Sequence, residues 1–128
     1  MPLLLDTHAV IWWWLDSPRL SPAARAAIMA PDEQIWVSAV SAIEIAIKFR
    51  IGKLSDFEDP RTRFPVEMAA SRFDSLAVTE THALAAGLLP GDHRDPFDRL
   101  IAAQALAEGL TIVTRDPELA AFGCKVLW

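Results

Sequence analysis

Five short strand-like runs alternate with stretches patterned as helices, and this alternation leaves few folds open. The runs are Leu3–Leu5, Ile35–Val37, Ser75–Val78, Thr111–Val113 and Lys125–Leu127. Between them lie helical segments: Ala9–Leu15, Ala23–Ala30, Ser38 to about Arg50, Pro65–Phe73, Thr79 to about Leu88, Asp95 to Glu108 and Asp116 to Phe122. Connections of this length cross over between parallel strands; hairpins need only a few residues. The chain is therefore expected to be α/β, a mostly parallel sheet covered on both faces by helices. Ser21-Pro22, Asp95-Pro96 and Asp116-Pro117 pair a capping side chain with proline at the first helical position. Gly52 and Gly109 follow helix ends, where glycine relieves the left-handed turn. Ser55–Phe64 is polar and proline-broken, so the next helix is expected only from Pro65.

Four acids fall where a strand hands over to a helix, or just beyond. Asp6 follows Leu3–Leu5, Glu44 lies past Ile35–Val37, Asp98 opens the Phe97–Ala107 run, and Asp116 follows Ile112-Val113. In an open parallel sheet these positions share one edge, the carboxyl ends of the strands, where ligands bind. Each acid also has a structural reading. Asp6 and Asp116 are ready N-caps, although Thr7 can cap in place of Asp6 and leave it facing outward. Asp98 sits at the third position of its helix, where the dipole favours an acid, with Asp95 as the cap. Its face continues through Ile101, Ala102 and Ala105, which suits packing on the sheet. Glu44 lies with Ser41 and Lys48 on the one polar stripe of a helix apolar nearly all round, which predicts a buried helix. That stripe faces either a cleft or solvent, the latter with a Glu44–Lys48 pair. Four independent caps have no reason to share one sheet edge, whereas a cation site requires it. Carboxylate oxygens suit hard divalent ions, Mg²⁺ or Mn²⁺. Thr7, Ser38, Ser41 and Thr114 lie beside the acids and can orient them.

At 128 residues and 52% hydrophobic, the chain suits one domain, residues 1–128, with a substantial core. A single cysteine, Cys124, excludes a disulfide framework and fits a reducing compartment. No apolar run approaches a membrane span, and the start lacks the basic, then apolar, plan of a signal peptide. A cytoplasmic protein is expected. The formal net charge of −5 argues against a general nucleic-acid coat protein, but not against a nuclease whose acids bind metal. Lys48, Arg50 and Lys53 form one basic group and Arg94, Arg99 and Arg115 another, either facing RNA or merely solvated.

Four motifs in order carry a resemblance: Leu4-Leu5-Asp6-Thr7-His8; Ser38-x-x-Ser41-x-x-Glu44; Asp95-Pro96-Phe97-Asp98-Arg99-x-Ile101-Ala102-Ala103-Gln104-Ala105; and Thr114-Arg115-Asp116. Together they resemble the PIN-domain ribonucleases, and within them the VapC-type toxins of bacterial toxin–antitoxin pairs. The resemblance spans nearly the whole chain. It implies a three-layer sandwich around a parallel five-stranded sheet of order 3-2-1-4-5, and Mg²⁺ or Mn²⁺ dependence. It also implies a homodimer and inhibition by a cognate VapB-type antitoxin. It makes Asp6, Glu44, Asp98 and Asp116 the metal-binding acids and leaves Asp95 as a cap. The expected reaction is hydrolysis of an RNA phosphodiester to a 5′-phosphate and a 3′-hydroxyl. Glu44 serves as a ligand or as base for the attacking water, and Arg99 and Arg115 are candidate RNA contacts.

Trp12, Trp13 and Trp14 are consecutive on one helix and cannot all face one surface. At least one is expected at a dimer interface or antitoxin groove; the alternative is two in the core and one on the surface. His8 and His82 are expected to be structural, and His93, in the loop before Asp95, is close enough in sequence to approach the site. Two rivals remain. An aspartate-nucleophile phosphatase would want a second Asp two residues after Asp6, where His8 stands. A PIN-like module that binds RNA or protein without cutting would not need all four acids.

Overall fold

Leu3, Leu4 and Leu5 are wholly buried and form β1 (Leu3–Leu5), the central strand. An unbroken apolar run in a strand means that both faces are covered. The computed structural model, which describes Met1–Trp128, shows this directly. Leu3 and Leu5 point into one core with Ile35, Val37 and Val113. Leu4 points into the other with Ile112, Ile101 and Ala102.

The strands β2 (Ile35–Ser38), β3 (Asp74–Leu76), β4 (Thr111–Val113) and β5 (Val126–Leu127) pair parallel in the order β3-β2-β1-β4-β5. This is the three-layer arrangement and strand order expected. Leu5 lies opposite Val37 on one side and Val113 on the other. The residues that follow, Asp6, Ser38 and Thr114, therefore emerge side by side. The chain runs outward from β1 in opposite directions, through β2 to β3 and through β4 to β5. The boundary between β1 and β4 is thus a topological switch point, where such sheets open a crevice.

Helices α1 (Thr7–Trp14), α2 (Pro22–Met29), α3 (Ala39–Arg50), α4 (Pro60–Ser71), α5 (Glu80–Leu88), α6 (Pro96–Glu108) and α7 (Pro117–Ala121) complete the layers. Proline opens α2, α6 and α7 behind the Ser21, Asp95 and Asp116 caps. None of the helices is long and apolar enough to cross a membrane.

Three boundaries differ from expectation. Helix α1 starts at Thr7 because Asp6 caps it. Helix α4 starts at Pro60, capped by Asp59, and carries Pro65 inside it. Pro65 forfeits one hydrogen bond to the Arg61 carbonyl, on an exposed turn. Strand β3 ends at Leu76 because the Ala77 carbonyl accepts from Gln104 Nε2 at 3.2 Å and the chain leaves the ladder. Helix α3 also departs from its expected burial. Val40, Ser41 and Ile45 are buried, while Ile43 and Phe49 are 49% and 39% exposed.

The tryptophans follow the alternative reading. Trp12 and Trp14 are buried, and Trp13 is half-buried against Phe73 with Arg25 over its ring. Trp14 stacks with Phe57 and Phe73 and meets Phe64 edge-on, and its indole N–H donates to Ser71 Oγ at 3.0 Å. His82 is structural, as expected: buried, and pairing with Glu108 at 3.0 Å.

Gln104 is fully buried and ties three elements together. Its Oε1 accepts from Ser38 Oγ at 2.6 Å, at the β2–α3 junction, and its amide reaches Ala77 beyond β3. Gln104→Leu would strand those partners, and an unsatisfied buried group costs about 1–3 kcal/mol. Urea denaturation should show a loss of this size.

Candidate active site

Asp6 does two jobs at the edge of β1. One carboxylate oxygen caps α1, accepting from the Ala9 N–H at 2.7 Å. The other accepts a hydrogen bond from the Thr114 hydroxyl, just past β4. Asp6 therefore clamps β1, α1 and β4 while 8% exposed. Thr7 does not cap the helix. Its hydroxyl, freed from that role, donates to Glu44 Oε1 at 2.6 Å and lies 3.0 Å from Ser41 Oγ. The polar stripe of α3 thus faces inward, and no Glu44–Lys48 ion pair forms. Ser38 caps α3 through the Val40 N–H at 3.0 Å and so sets the helix that carries Glu44.

Asp98 opens α6 one turn past the Asp95 cap, which accepts from the Phe97 N–H at 2.9 Å. Its Oδ2 pairs with His93 Nε2 at 2.8 Å. Asp116 caps α7 through the Glu118 N–H at 2.9 Å, and Thr114 Oγ1 accepts from the Asp116 N–H at 3.0 Å. Thr114 thus connects Asp6 to the Asp116 turn.

Asp6, Glu44, Asp98 and Asp116, from four different elements, line one cavity of about 180 Å³. Thr7, His8, Lys48 and Asp95 share its wall. No three of these side chains are placed to grip one ion as they stand. The carboxylates share a chamber, each held back by its own partner.

Their electrostatics bear on what the chamber would accept. Burial pushes the carboxyl pKa of Asp6 upward, opposed by the hydrogen bonds from Thr114 and Ala9. Burial does the same to Glu44, opposed by Thr7, and the charges of Asp98 and Asp95 push it further up. Asp98 is raised by burial and by Asp95 and Asp116, against the pull of His93. Its charge in turn raises both Asp6 and Glu44, so Asp98 is the centre of the repulsion. Hard oxygen donors, partly dehydrated and mutually repelling, suit a small divalent cation in chemistry. In spacing they would need side-chain movement first.

The arginines divide. Arg99 was expected at RNA, but its guanidinium donates to the carbonyls of Ala86, His93 and Leu89. It holds the loop before α6 and has little left to offer a ligand. Arg115 is exposed and lies over the Trp12 ring, 4.5 Å from its centroid. His93, in the loop before Asp95, does approach the site, through its contact with Asp98. Asp95 was assigned only the cap, yet it also borders the chamber.

A small parallel α/β domain with acids gathered at its switch point defines a class, and comparison with known proteins names it. The PIN domain matches residues 3–123; the chain belongs to the PIN-domain family. It is 35% identical over 122 residues to the protein named Ribonuclease VapC22 of Mycobacterium tuberculosis, covering 91% of this chain and 88% of that one. The fold resembles that in VapBC2 from Rickettsia felis bound to a promoter DNA fragment, with a TM-score of 0.71 and 18% identity over 99% of this chain and 98% of that one. It likewise resembles VapBC-1 from nontypeable Haemophilus influenzae, with a TM-score of 0.68 and 18% identity over 99% and 97% of the two chains.

Because Asp6, Glu44 and Asp98 have raised pKa values in the folded state, the folded chain binds protons more tightly there than the unfolded chain. The stability that protonation confers is fully present below the ordinary carboxylate range. It is lost as pH rises through the raised values. Glu44→Gln keeps an oxygen for Thr7 and removes the charge. In ion-free buffer it should raise the melting temperature at pH 7, and the advantage should shrink to nothing near pH 4. A lower melting temperature at pH 7 would contradict the electrostatic account.

Proposed function

We propose that this chain is a divalent-cation-dependent endoribonuclease, the toxin of a VapBC-type toxin–antitoxin pair, working in the cytoplasm. The observation that carries the reading is the meeting of Asp6, Glu44, Asp98 and Asp116 in one chamber at the sheet's switch point. The relative named a ribonuclease, alike over 91% of this chain, supports the RNA substrate. Asp6, Asp98 and Asp116, with or without Glu44, would hold Mg²⁺ or Mn²⁺. When bound, such an ion acidifies water and stabilises negative charge on phosphate oxygens.

The chain's own residues do the rest. Thr114 and the Ala9 N–H fix the Asp6 oxygens, and His93 orients Asp98. Glu44, its proton affinity raised by burial, takes the proton of the attacking water, with Thr7 holding the carboxylate in place. The antitoxin has an apolar surface available to it. Ile43, Phe49 and Ile51 are exposed on and just past α3, a larger apolar display than a helix facing only solvent needs. Two copies of the chain are expected to pair, and Leu84 and Leu88 on α5, 67% and 82% exposed, offer a face for it.

Asp98→Asn should reduce Mg²⁺-dependent cleavage of RNA by roughly a hundredfold or more, since losing several kcal/mol of charge stabilisation has that effect. Its circular dichroism should match that of the wild type. Undiminished cleavage would remove Asp98 from the mechanism.

A second reading is favoured by one observation: no three of the acids converge on a common point. On that reading the chain is a PIN-like module that binds RNA or protein without cutting. The two part on metal binding. A nuclease should gain thermal stability with millimolar Mn²⁺, and Asp6→Asn should abolish that gain. A non-catalytic module should show no gain in either protein.

A further inference from the structure

A second cavity, of about 300 Å³, opens beside the acidic chamber and shares Asp6, His8 and Asp116 with it. Trp12, Arg115 and Trp128 form much of the remaining wall. Trp128 meets Trp12 edge-on at 5.8 Å, and His8 lies 5.4 Å from Trp12. The Arg115 guanidinium lies over the same indole and makes no hydrogen bond or ion pair within the protein. Arg19, Arg50, Arg72 and Arg94 are likewise without a side-chain partner, but none of them lines this cavity. Arg25, Arg61 and Arg63 pair with carboxylates and Arg99 with carbonyls. Arg115 stays unpaired although Asp116 follows it in sequence and acids outnumber bases 17 to 12.

The occupant can be argued from this wall. A lone phosphate would be repelled by Asp6 and Asp116 and attracted by only one cation. A neutral planar ring meets no such penalty, and aromatic and guanidinium faces are the surfaces on which unpaired bases stack. Arg115 offers donors only. Among the bases, guanine alone presents two adjacent acceptors, O6 and N7, to a guanidinium fork. We infer that this cavity is a nucleobase subsite. It would hold an unpaired guanine next to the scissile phosphate of the proposed reaction, with Arg115 reading its edge and the partly exposed Trp128, backed by the buried Trp12, as its wall. The inference rests on the RNA substrate proposed above and specifies which nucleotide adjoins the cut.

Binding tests it apart from catalysis. Short single-stranded RNAs differing only in one central base are titrated against the Asp98→Asn protein, followed by indole fluorescence. The guanine oligonucleotide should bind roughly tenfold more tightly than the other three, as expected of one bidentate base contact. Arg115→Met should erase the difference. Arg115→Lys should also lose it, because an ammonium keeps the charge without the fork. Trp128→Leu should weaken all four alike. Equal binding of the four, no binding at all, or a guanine preference that survives Arg115→Met overturns the subsite. The wild-type protein, incubated with mixed RNA and Mn²⁺, separates the two claims. Cutting without base preference overturns the subsite and leaves the nuclease. Guanine-selective binding without cutting leaves the subsite and overturns the nuclease.

Discussion

Asp6 is the residue on which the domain's two halves and its chamber jointly depend. One oxygen satisfies the first turn of α1 and the other takes the Thr114 hydroxyl across the β1–β4 boundary. At that boundary the strand connections diverge and no loop covers the crevice; the backbone ladder ends where the Asp6 N–H donates to the Val113 carbonyl at 3.2 Å, and beyond it the Asp6 side chain continues the bridge. A carboxylate is suited to this because it accepts on both sides. The same requirement buries a negative charge at the crevice, which raises its proton affinity and makes the crevice hungry for positive charge. Structural capping and site chemistry are therefore not alternatives at this position. The cap holds the carboxylate at the edge where a ligand would meet it.

Helix α3 shows the same coupling inverted. An amphipathic helix normally hides its apolar side. Here Ser41 is fully buried and Glu44 is drawn inward by Thr7, so Ile43 and Phe49 turn outward. The orientation follows from Ser38, which caps the helix and is itself held by Gln104 from α6. Polar contacts on three elements thus outweigh completing the burial of two half-buried apolar side chains, a fraction of the about 1.5–3 kcal/mol that full burial of each is worth.

This explains which parts of the chain could be read in advance. Strand runs, crossover lengths and proline-marked helix starts depend on local pattern, and they gave the α/β sheet and six of the seven helices nearly in place. Strand order came from resemblance to a family, since pairing is decided by contacts far apart in sequence. Helix α4 begins five residues before the expected Pro65, because both prolines suit a first turn and only the Asp59 cap selects Pro60. The acids could be named because strand ends converge in a parallel sheet whatever lies between them. The partners that orient them were only partly legible. Thr7 and Thr114 adjoin an acid in sequence, whereas His93 approaches Asp98 only through the fold of the Pro90–Asp95 loop. Arg99 is the complementary case: its basic charge is legible in the sequence and its three carbonyl partners are not.

The four acids also differ in how tightly they are restrained. Asp6 and Asp116 each accept from a backbone N–H at a helix start, so neither can swing away without uncapping its helix. Glu44 and Asp98 are held by side chains, Thr7 and His93, whose own rotations release them. Asp98 is pushed by the charges of Asp95 and Asp116, and Glu44 by those of Asp98 and Asp95. The chamber thus combines two carboxylates locked to the backbone with two that are free to adjust and are electrostatically strained where they sit. A cation entering it would find its fixed ligands on the β1–β4 side, and the strain in the other two would be relieved by turning toward it.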